Sequence, residues 1–347
     1  MLLALLLSIF VLCLYRIQFN LKGFNDDYLS KGSTNSIKGI FILLIVISHA
    51  LPYITRCGYA YSATGDSLLM TFFHLLSQLV VVMFLFYSGY GVGESFKSKG
   101  ETYVQSMPRH RILGTLVNFD IAVIVFIVVG LLLGSSFTLR QCLLSLTGWD
   151  DVGNSNWYIF VILLCYLMHY IALCLPVSKP SYRVALLFAL CAGCLLVLSF
   201  FKGNYWFSTI LCYPLGFMYS TYKDSIEKHL KKAYWIYALA VVILFVLIFK
   251  LFHDCAADRF QIGYNVVSML FAILVVVLTL KVRISNQPLR WVGTHLFPIY
   301  IYMRLPMIFM ENKMPALVGT YPALFILISL AVTLLIAWAY RFSEIRL

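Results

Sequence analysis

The most restrictive feature of this sequence is a series of long apolar runs that fill almost the whole chain. A helix needs about 20 apolar residues to cross the hydrocarbon core of a bilayer. Runs of this kind lie near residues 1–19, 37–55, 72–94, 112–134, 156–176, 182–200, 205–222, 233–252, 264–281, 294–311 and 317–340. Of the 347 residues, 62% are hydrophobic and only 12% are charged, which excludes a water-soluble fold. The sequence therefore predicts an all-α polytopic membrane bundle of about eleven transmembrane helices.

Basic residues are distributed unevenly between the two sides of the predicted bundle. If the first run crosses from outside to inside, seventeen Lys and Arg fall in inner segments and only five in outer ones, namely Arg56, Arg140, Lys202, Arg259 and Lys313. Cytoplasmic loops of membrane proteins collect Lys and Arg. We therefore expect a membrane protein surrounded by lipid, with its N-terminus outside and its C-terminus in the cytoplasm. The same rule explains the net charge of +12 without nucleic-acid binding.

Ionisable side chains inside the apolar runs are functional candidates because they are costly there. Lys38 and His49 are eleven residues apart, which is about 1100° of helix rotation, so both lie on one face about 16 Å apart. A cation at the mouth and a proton carrier deeper on that face suit a long ligand with an anionic head and a reactive tail. A snorkelling lysine and a structural histidine explain the same pattern equally well. Asp120 and Arg304 are further intramembrane candidates.

Several motifs follow one another in an order that resembles one known family. Lys38-x10-His49 resembles its Arg/Lys-x10-His motif, and Ser88-Gly89-Tyr90 resembles the end of its next apolar run. Three later segments are similar as well, namely the basic segment with Arg109 and Arg111, the helix start Asn156-Trp157-Tyr158 and residues 293–302. By these motifs the chain resembles the acyltransferase 3 family, integral-membrane enzymes that acylate cell-surface carbohydrates. It departs from the family in having Arg-x-Arg for Arg-x-x-Arg, and in lacking the histidine of a late Tyr-x-x-His.

The resemblance implies an architecture, a location in the plasma (inner) membrane and a reaction. Residues 37–347 would form a ten-helix acyltransferase domain, preceded by an additional transmembrane helix and a cytoplasmic linker in residues 1–36. An acyl group, usually acetyl, would move from cytoplasmic acyl-CoA to a hydroxyl of a polysaccharide or lipid-linked glycan. The donor is expected to be acetyl-CoA. We expect no metal requirement, because a thioester is already activated.

Candidate residues exist for binding the donor. The CoA phosphates require cations, and Lys38, Arg109 and Arg111 would lie at the inner mouth, where arginine can hold phosphate bidentately. The ordinary excess of positive charge in cytoplasmic loops also explains the two arginines.

Candidate residues exist for the transfer itself. His49 is predicted to be the general base, since the imidazole pKa is ordinarily about 6.5; a transient acyl-imidazole is the alternative. Ser88 and Tyr90 are candidate donors to the oxyanion, although Ser-Gly-Tyr also suits helix packing. Asp120 orients His49, pairs with a cation or makes a structural hydrogen bond, and Arg304 pairs with a carboxylate or a substrate.

Two other functions remain open from the sequence. Asp150-Asp151, in a predicted outer loop, resembles the acidic pair of membrane glycosyltransferases that use polyprenyl-phosphate sugars. A flippase or transporter of polyprenyl-linked glycans would also suit eleven helices, although no inverted repeat is visible. Trp149, Trp157 and Tyr158 suit sugar stacking, and an aromatic belt at the membrane interface predicts the same residues.

Overall fold

The computed structural model describes residues 2–61, 64–177, 179–254 and 263–345; Arg259, one of the five outer cations, lies outside these ranges. The chain is 79% helical, so the predicted all-α class is confirmed. In chain order the elements are α1 (Leu2–Leu14), β1 (Ile17–Phe19), α2 (Lys31–Arg56), α3 (Thr64–Leu76), α4 (Leu79–Lys99), α5 (Glu101–Met107), a π-helical segment (Pro108–Leu113), α6 (Gly114–Leu132), α7 (Leu139–Leu146), α8 (Trp157–Cys174), α9 (Pro180–Phe201), a 3-10 turn (Asn204–Trp206), α10 (Cys212–Lys232), α11 (Tyr234–Asp254), α12 (Tyr264–Thr279), β2 (Val282–Ile284), α13 (Gln287–Thr294), α14 (Leu296–Tyr302), α15 (Arg304–Lys313), α16 (Pro315–Thr320) and α17 (Pro322–Tyr340).

Long apolar helices dominate the fold. Within the described ranges, seven helical segments are long and apolar enough to cross a membrane: Lys31–Arg56, Thr64–Lys99, Glu101–Leu132, Trp157–Cys174, Pro180–Phe201, Tyr234–Phe252 and Pro322–Tyr340. α1 and α12 are shorter apolar helices of 13 and 16 residues. The runs at 72–94, 205–222, 294–311 and 317–340 are interrupted. The chain is thus a polytopic helical bundle, while the number of eleven crossings stays a prediction.

The predicted run at 205–222 begins in the 3-10 turn and continues as an irregular segment, residues 207–211, before α10. Asn265 on α12 donates its Nδ2 to the carbonyl of Phe207 at 2.9 Å and accepts the Leu211 amide at 3.2 Å. Ser268 donates to the Ser208 carbonyl at 3.1 Å. Irregular backbone inside an apolar bundle is tolerated only where neighbouring groups satisfy its polar atoms. α10 consequently starts at Cys212, later than the sequence indicated.

Glycines bring two helix pairs into backbone contact, α2 with α13 and α4 with α10. A Cβ on any of four glycines would collide with a carbonyl oxygen of the partner helix; the pairs are Gly39 with Leu289, Gly293 with Asn35, Gly89 with Tyr213 and Gly216 with Phe86. Small residues at such crossings allow close packing of membrane helices. Lys38 neighbours one of these contacts, and Ser88 and Tyr90 flank another, so the fold fixes where their side chains lie.

The N-terminal segment is attached to the same end of the bundle as the start of α13. β1 pairs antiparallel with β2, with Ile17 opposite Ile284. Asn286 donates to the Leu12 carbonyl at 2.8 Å. The predicted boundary between residues 36 and 37 falls within α2, which begins at Lys31 after the N-cap Ser30. The division into two units stays a prediction.

Candidate active site

Lys38 lines a cavity of about 670 Å³ that we call the Lys38 cavity. Its charged lining residues are four cations and one carboxylate: Lys31, Lys38, Lys99, Arg111 and Glu94. The carboxylate already accepts hydrogen bonds from Lys97 at 3.0 Å and from Ser220 at 2.8 Å. The excess positive charge therefore suits an anionic ligand, since a cleft lined by one sign of charge concentrates the opposite sign.

The two arginines of the Arg-x-Arg motif take different positions. Arg111 is half-buried, lines the Lys38 cavity and donates its Nε to the Tyr103 hydroxyl at 3.2 Å. Arg109 is exposed and lines neither the Lys38 cavity nor its neighbours. Residues two apart on a helix do not face each other. Both arginines belong to the π-helical segment Pro108–Leu113, and such segments are frequent at functional sites.

Ser88 and Tyr90 both line the Lys38 cavity, on either side of the packing glycine Gly89. Ser88 lies beside the Tyr158 hydroxyl. Ser88 and Tyr158 also line a second cavity of about 630 Å³, which we call the Asn118 cavity. The motif thus combines a packing residue with two polar side chains that are open to ligand.

His49 lines a third cavity, of about 430 Å³, which we call the His49 cavity. The imidazole is half-buried and has no hydrogen-bond partner among the described residues. Arg304 lies close enough for its charge to act on the imidazole. Lys38 and His49 share one face of α2 and are separated by eleven residues of helical rise. The Lys38 and His49 cavities therefore lie at different depths along the same helix.

Arg304 is held at the edge of the His49 cavity by two neutral acceptors. Its Nε donates to the Tyr53 hydroxyl at 3.0 Å, and its Nη1 donates to the Asn154 carbonyl at 2.9 Å. No carboxylate in the described part of the chain forms an ion pair with it. Of the two alternatives left open by the sequence, an internal carboxylate partner is therefore not found there.

Three polar residues of the His49 cavity were missed by the sequence analysis. Gln78 Oε1, Asn154 Nδ2 and Ser155 Oγ are buried and have no hydrogen-bond partner among the described residues. Gln78 follows Ser77, whose φ of 39° marks the break between α3 and α4. Strained backbone of this kind clusters at functional sites. For Asn154 and Ser155 the available signal was a polar stretch between apolar runs, which is equally typical of ordinary loops. For Gln78 it was a polar residue inside the run at 72–94.

A structured loop presents Asn154 and Ser155 to the His49 cavity. Asn156 donates to the carbonyls of Gly148 and Asp150 at 3.0 and 2.9 Å. Asn154 Oδ1 accepts the Val152 amide at 3.0 Å. These bonds fix the loop immediately before Trp157, which lines the same cavity with Tyr205. An aromatic pair with ring centroids 6.0 Å apart therefore stands at the rim, where a sugar could stack.

The two carboxylates of the acidic pair accept hydrogen bonds from backbone amides of their own loop. Asp150 Oδ1 accepts the Asp151 amide at 2.9 Å, and Asp151 Oδ1 accepts the Gly153 amide at 3.1 Å. Lys202 is partly desolvated, which lowers the pKa of its ammonium group, while both carboxylates act in the opposite direction. Within the described ranges, no group of three or more His, Cys, Asp or Glu side chains is arranged to hold a metal ion. The expectation that no metal is required is not tested by this.

Asp120 is half-buried on α6 and lines none of the three cavities. Among the residues that the structure describes, Arg304 is the charged group found to act on His49. One oxygen of Asp120, Oδ1, is buried with no hydrogen-bond partner in the described chain. Nothing in this geometry connects Asp120 with His49.

Aromatic rings separate the Lys38 cavity from the His49 cavity. Tyr158 lines the former and Tyr300 the latter, and their ring centroids are 5.3 Å apart in an edge-to-face contact. Phe84 also makes an edge-to-face contact with Tyr158, at a centroid distance of 6.0 Å. A ligand that reached from one cavity to the other would pass this contact.

The fold and these cavities define an integral membrane protein in which one helix carries a cationic cavity and a histidine cavity. Residues 31–342 match the acyltransferase 3 family model, whose description is an acyltransferase domain. The chain belongs to this family, as its motifs indicated, and is a membrane acyltransferase. No curated protein and no solved structure matches it significantly.

Proposed function

We propose that the protein is an O-acyltransferase that moves an acyl group, acetyl in the simplest case, from acyl-CoA to a hydroxyl of a polysaccharide or lipid-linked glycan. The observation that carries this proposal is the placement of Lys38 and His49 in two cavities at different depths of one helix face. The helical rise puts them about 16 Å apart. A donor with a charged head and a distant thioester would span that separation.

The donor head would occupy the Lys38 cavity. Its phosphates would be bound by Lys38 and Arg111, the latter able to form bidentate contacts. Ser88 and Tyr90 would lie along the path of the thioester and donate to the oxygen that becomes negative during attack. Arg109, which is exposed, would contribute only to the overall positive potential.

The acceptor would occupy the His49 cavity, where Trp157 and Tyr205 offer stacking surfaces. An imidazole nitrogen of His49 would take the proton of the sugar hydroxyl while its oxygen attacks the thioester carbonyl. The new C–O bond forms, the C–S bond breaks, and CoA leaves as the thiol after taking up a proton. We place the donor side in the cytoplasm of a plasma-membrane protein, in agreement with the charge asymmetry of the loops.

Calorimetric binding of acetyl-CoA to the purified protein tests this proposal, with wild type beside Lys38→Ala and His49→Ala. We expect wild-type binding, at least tenfold weaker binding by Lys38→Ala, and unchanged binding by His49→Ala. Transfer of radiolabelled acetyl to membrane glycans should be lost in His49→Ala. Absence of binding to well-folded wild-type protein would refute the acyl-CoA assignment.

A further inference from the structure

We infer that the His49 cavity binds an anionic group of the acceptor, a carboxylate or a phosphate, and that Arg304 is its counter-ion. This rests on the proposed function, because it takes the ligand of that cavity to be the acceptor. Three features of the described residues at the cavity support anion binding: an arginine without an acidic partner, nearby acids that interact with other groups, and an excess of unused hydrogen-bond donors.

Arg304 is a half-buried cation whose two acceptors in the described chain, the Tyr53 hydroxyl and the Asn154 carbonyl, are both neutral. Charged side chains within a membrane bundle are rare and normally pair with one another or mark a substrate pathway. Leaving a buried charge without a partner is strongly destabilising. A ligand that brings its own negative charge would remove this cost.

Two acids, one on the helix of Arg304 and one in the lining of the cavity, interact with other groups. Glu311, on the same helix as Arg304, accepts a hydrogen bond at 2.6 Å from Arg56. Asp151 lines the His49 cavity, but it is exposed, it accepts the Gly153 amide, and its charge acts on Lys202. Among the described residues, the guanidinium therefore has no internal anion to neutralise it.

The unused hydrogen-bonding groups at the cavity are mostly donors. A guanidinium has five N–H groups, and Arg304 uses one on Nε and one on Nη1, which leaves three. Asn154 Nδ2 and Ser155 Oγ add two buried groups that have no described partner and are able to donate. Gln78 Oε1 is an acceptor and suits a sugar hydroxyl. An oxyanion beside a hydroxyl is the ligand group that matches this set.

Thermal unfolding of the full-length protein in detergent tests the inference with a pair of matched sugars. Methyl glucuronide carries a carboxylate, whereas methyl glucuronamide has the same ring and hydroxyls without the charge. A methyl glucoside phosphorylated on its primary hydroxyl provides the phosphate arm. Saturating CoA is present throughout, so that the Lys38 cavity is occupied. We expect at least one of the two anionic sugars to stabilise wild type at a concentration at least tenfold lower than the amide.

Substitutions at Arg304 assign the effect to this residue. Arg304→Met should abolish the preference for charged sugars, and Arg304→Lys should retain part of it. The control Arg140→Met removes an exposed cation that lines none of the three cavities and should retain all of it. Equal responses of wild type to charged and neutral sugars would overturn the inference even if Arg304→Met failed to fold. A preference that persisted in Arg304→Met would overturn it too.

Acetyl-CoA binding separates this inference from the proposed function. If wild type binds acetyl-CoA but does not discriminate between the sugars, only the role of Arg304 fails. If acetyl-CoA does not bind, the proposed function fails, whatever the sugars do.

Discussion

Of the two arginines in the Arg-x-Arg motif, replacing Arg111 should weaken donor binding much more than replacing Arg109. Arg111 is half-buried and lines the Lys38 cavity, while Arg109 is exposed outside it. We therefore expect Arg111→Ala to weaken acetyl-CoA binding strongly and Arg109→Ala to weaken it little. Because the two substitutions remove the same side chain from positions two residues apart, each serves as the matched control of the other.

The magnitudes follow from the kind of contact that each arginine offers. A hydrogen bond to a charged group contributes about 1.5–3 kcal/mol, so the loss of Arg111 should raise the Kd about 10- to 150-fold. An exposed charge contributes about 0–1 kcal/mol, so the loss of Arg109 should raise the Kd by no more than about fivefold. Arg111→Lys should fall between wild type and Arg111→Ala, because lysine keeps the charge without the bidentate geometry.

Calorimetry at low and high ionic strength measures both effects. The contribution of Arg109 should vanish at high salt, since exposed charges are screened, whereas that of Arg111 should largely persist. Tyr103→Phe removes the hydroxyl that Arg111 contacts and leaves the guanidinium in place, so it should change the Kd little. Equal losses in Arg109→Ala and Arg111→Ala would refute the reasoning, because the motif would then act only as loop charge.

Three further predictions concern packing, a terminal segment and acid stability. Gly89→Ala should destabilise the protein by about 1–3 kcal/mol through overpacking against α10, while Gly91→Ala, whose Cβ meets nothing within 4 Å, should be tolerated; similar denaturation curves for the two would contradict this. Asn118 exchanges two hydrogen bonds with the Ile345 backbone, at 2.9 and 3.0 Å, so Asn118→Leu should accelerate hydrogen exchange of the Ile345 amide about tenfold or more. Burial alone would raise the pKa of Glu227, but hydrogen bonds from Lys231 and Tyr28 outweigh it, and the pKa lies below its ordinary 4.5. The resulting stabilisation is present above pH 4.5 and is lost as the pH falls through the lowered pKa, so the thermal stabilities of Glu227→Gln and wild type should differ at neutral pH and converge in acid.

The alternation of apolar runs was sufficient to predict a helical membrane bundle, because lipid leaves helices and closed barrels as the only viable spanning structures. The same reasoning did not find the interruptions at residues 77–78 and 207–211. These depend on groups that are distant in sequence, such as Asn265, which satisfies the backbone of the segment before α10. Helix length and hydropathy carry no information about such partners.

By itself, the sequence determined that Lys38 and His49 share a helix face, because helical periodicity is a local property. It also supplied the ordered motifs by which the family was recognised. Only the tertiary structure decided that Arg111 reaches the Lys38 cavity while Arg109 does not, and that Gln78, Asn154 and Ser155 line the same cavity as His49. It alone shows Arg304 between two neutral acceptors. The physical reason is that a charge inside a membrane demands a partner, and the packing of remote helices and loops determines which groups are close enough to be one.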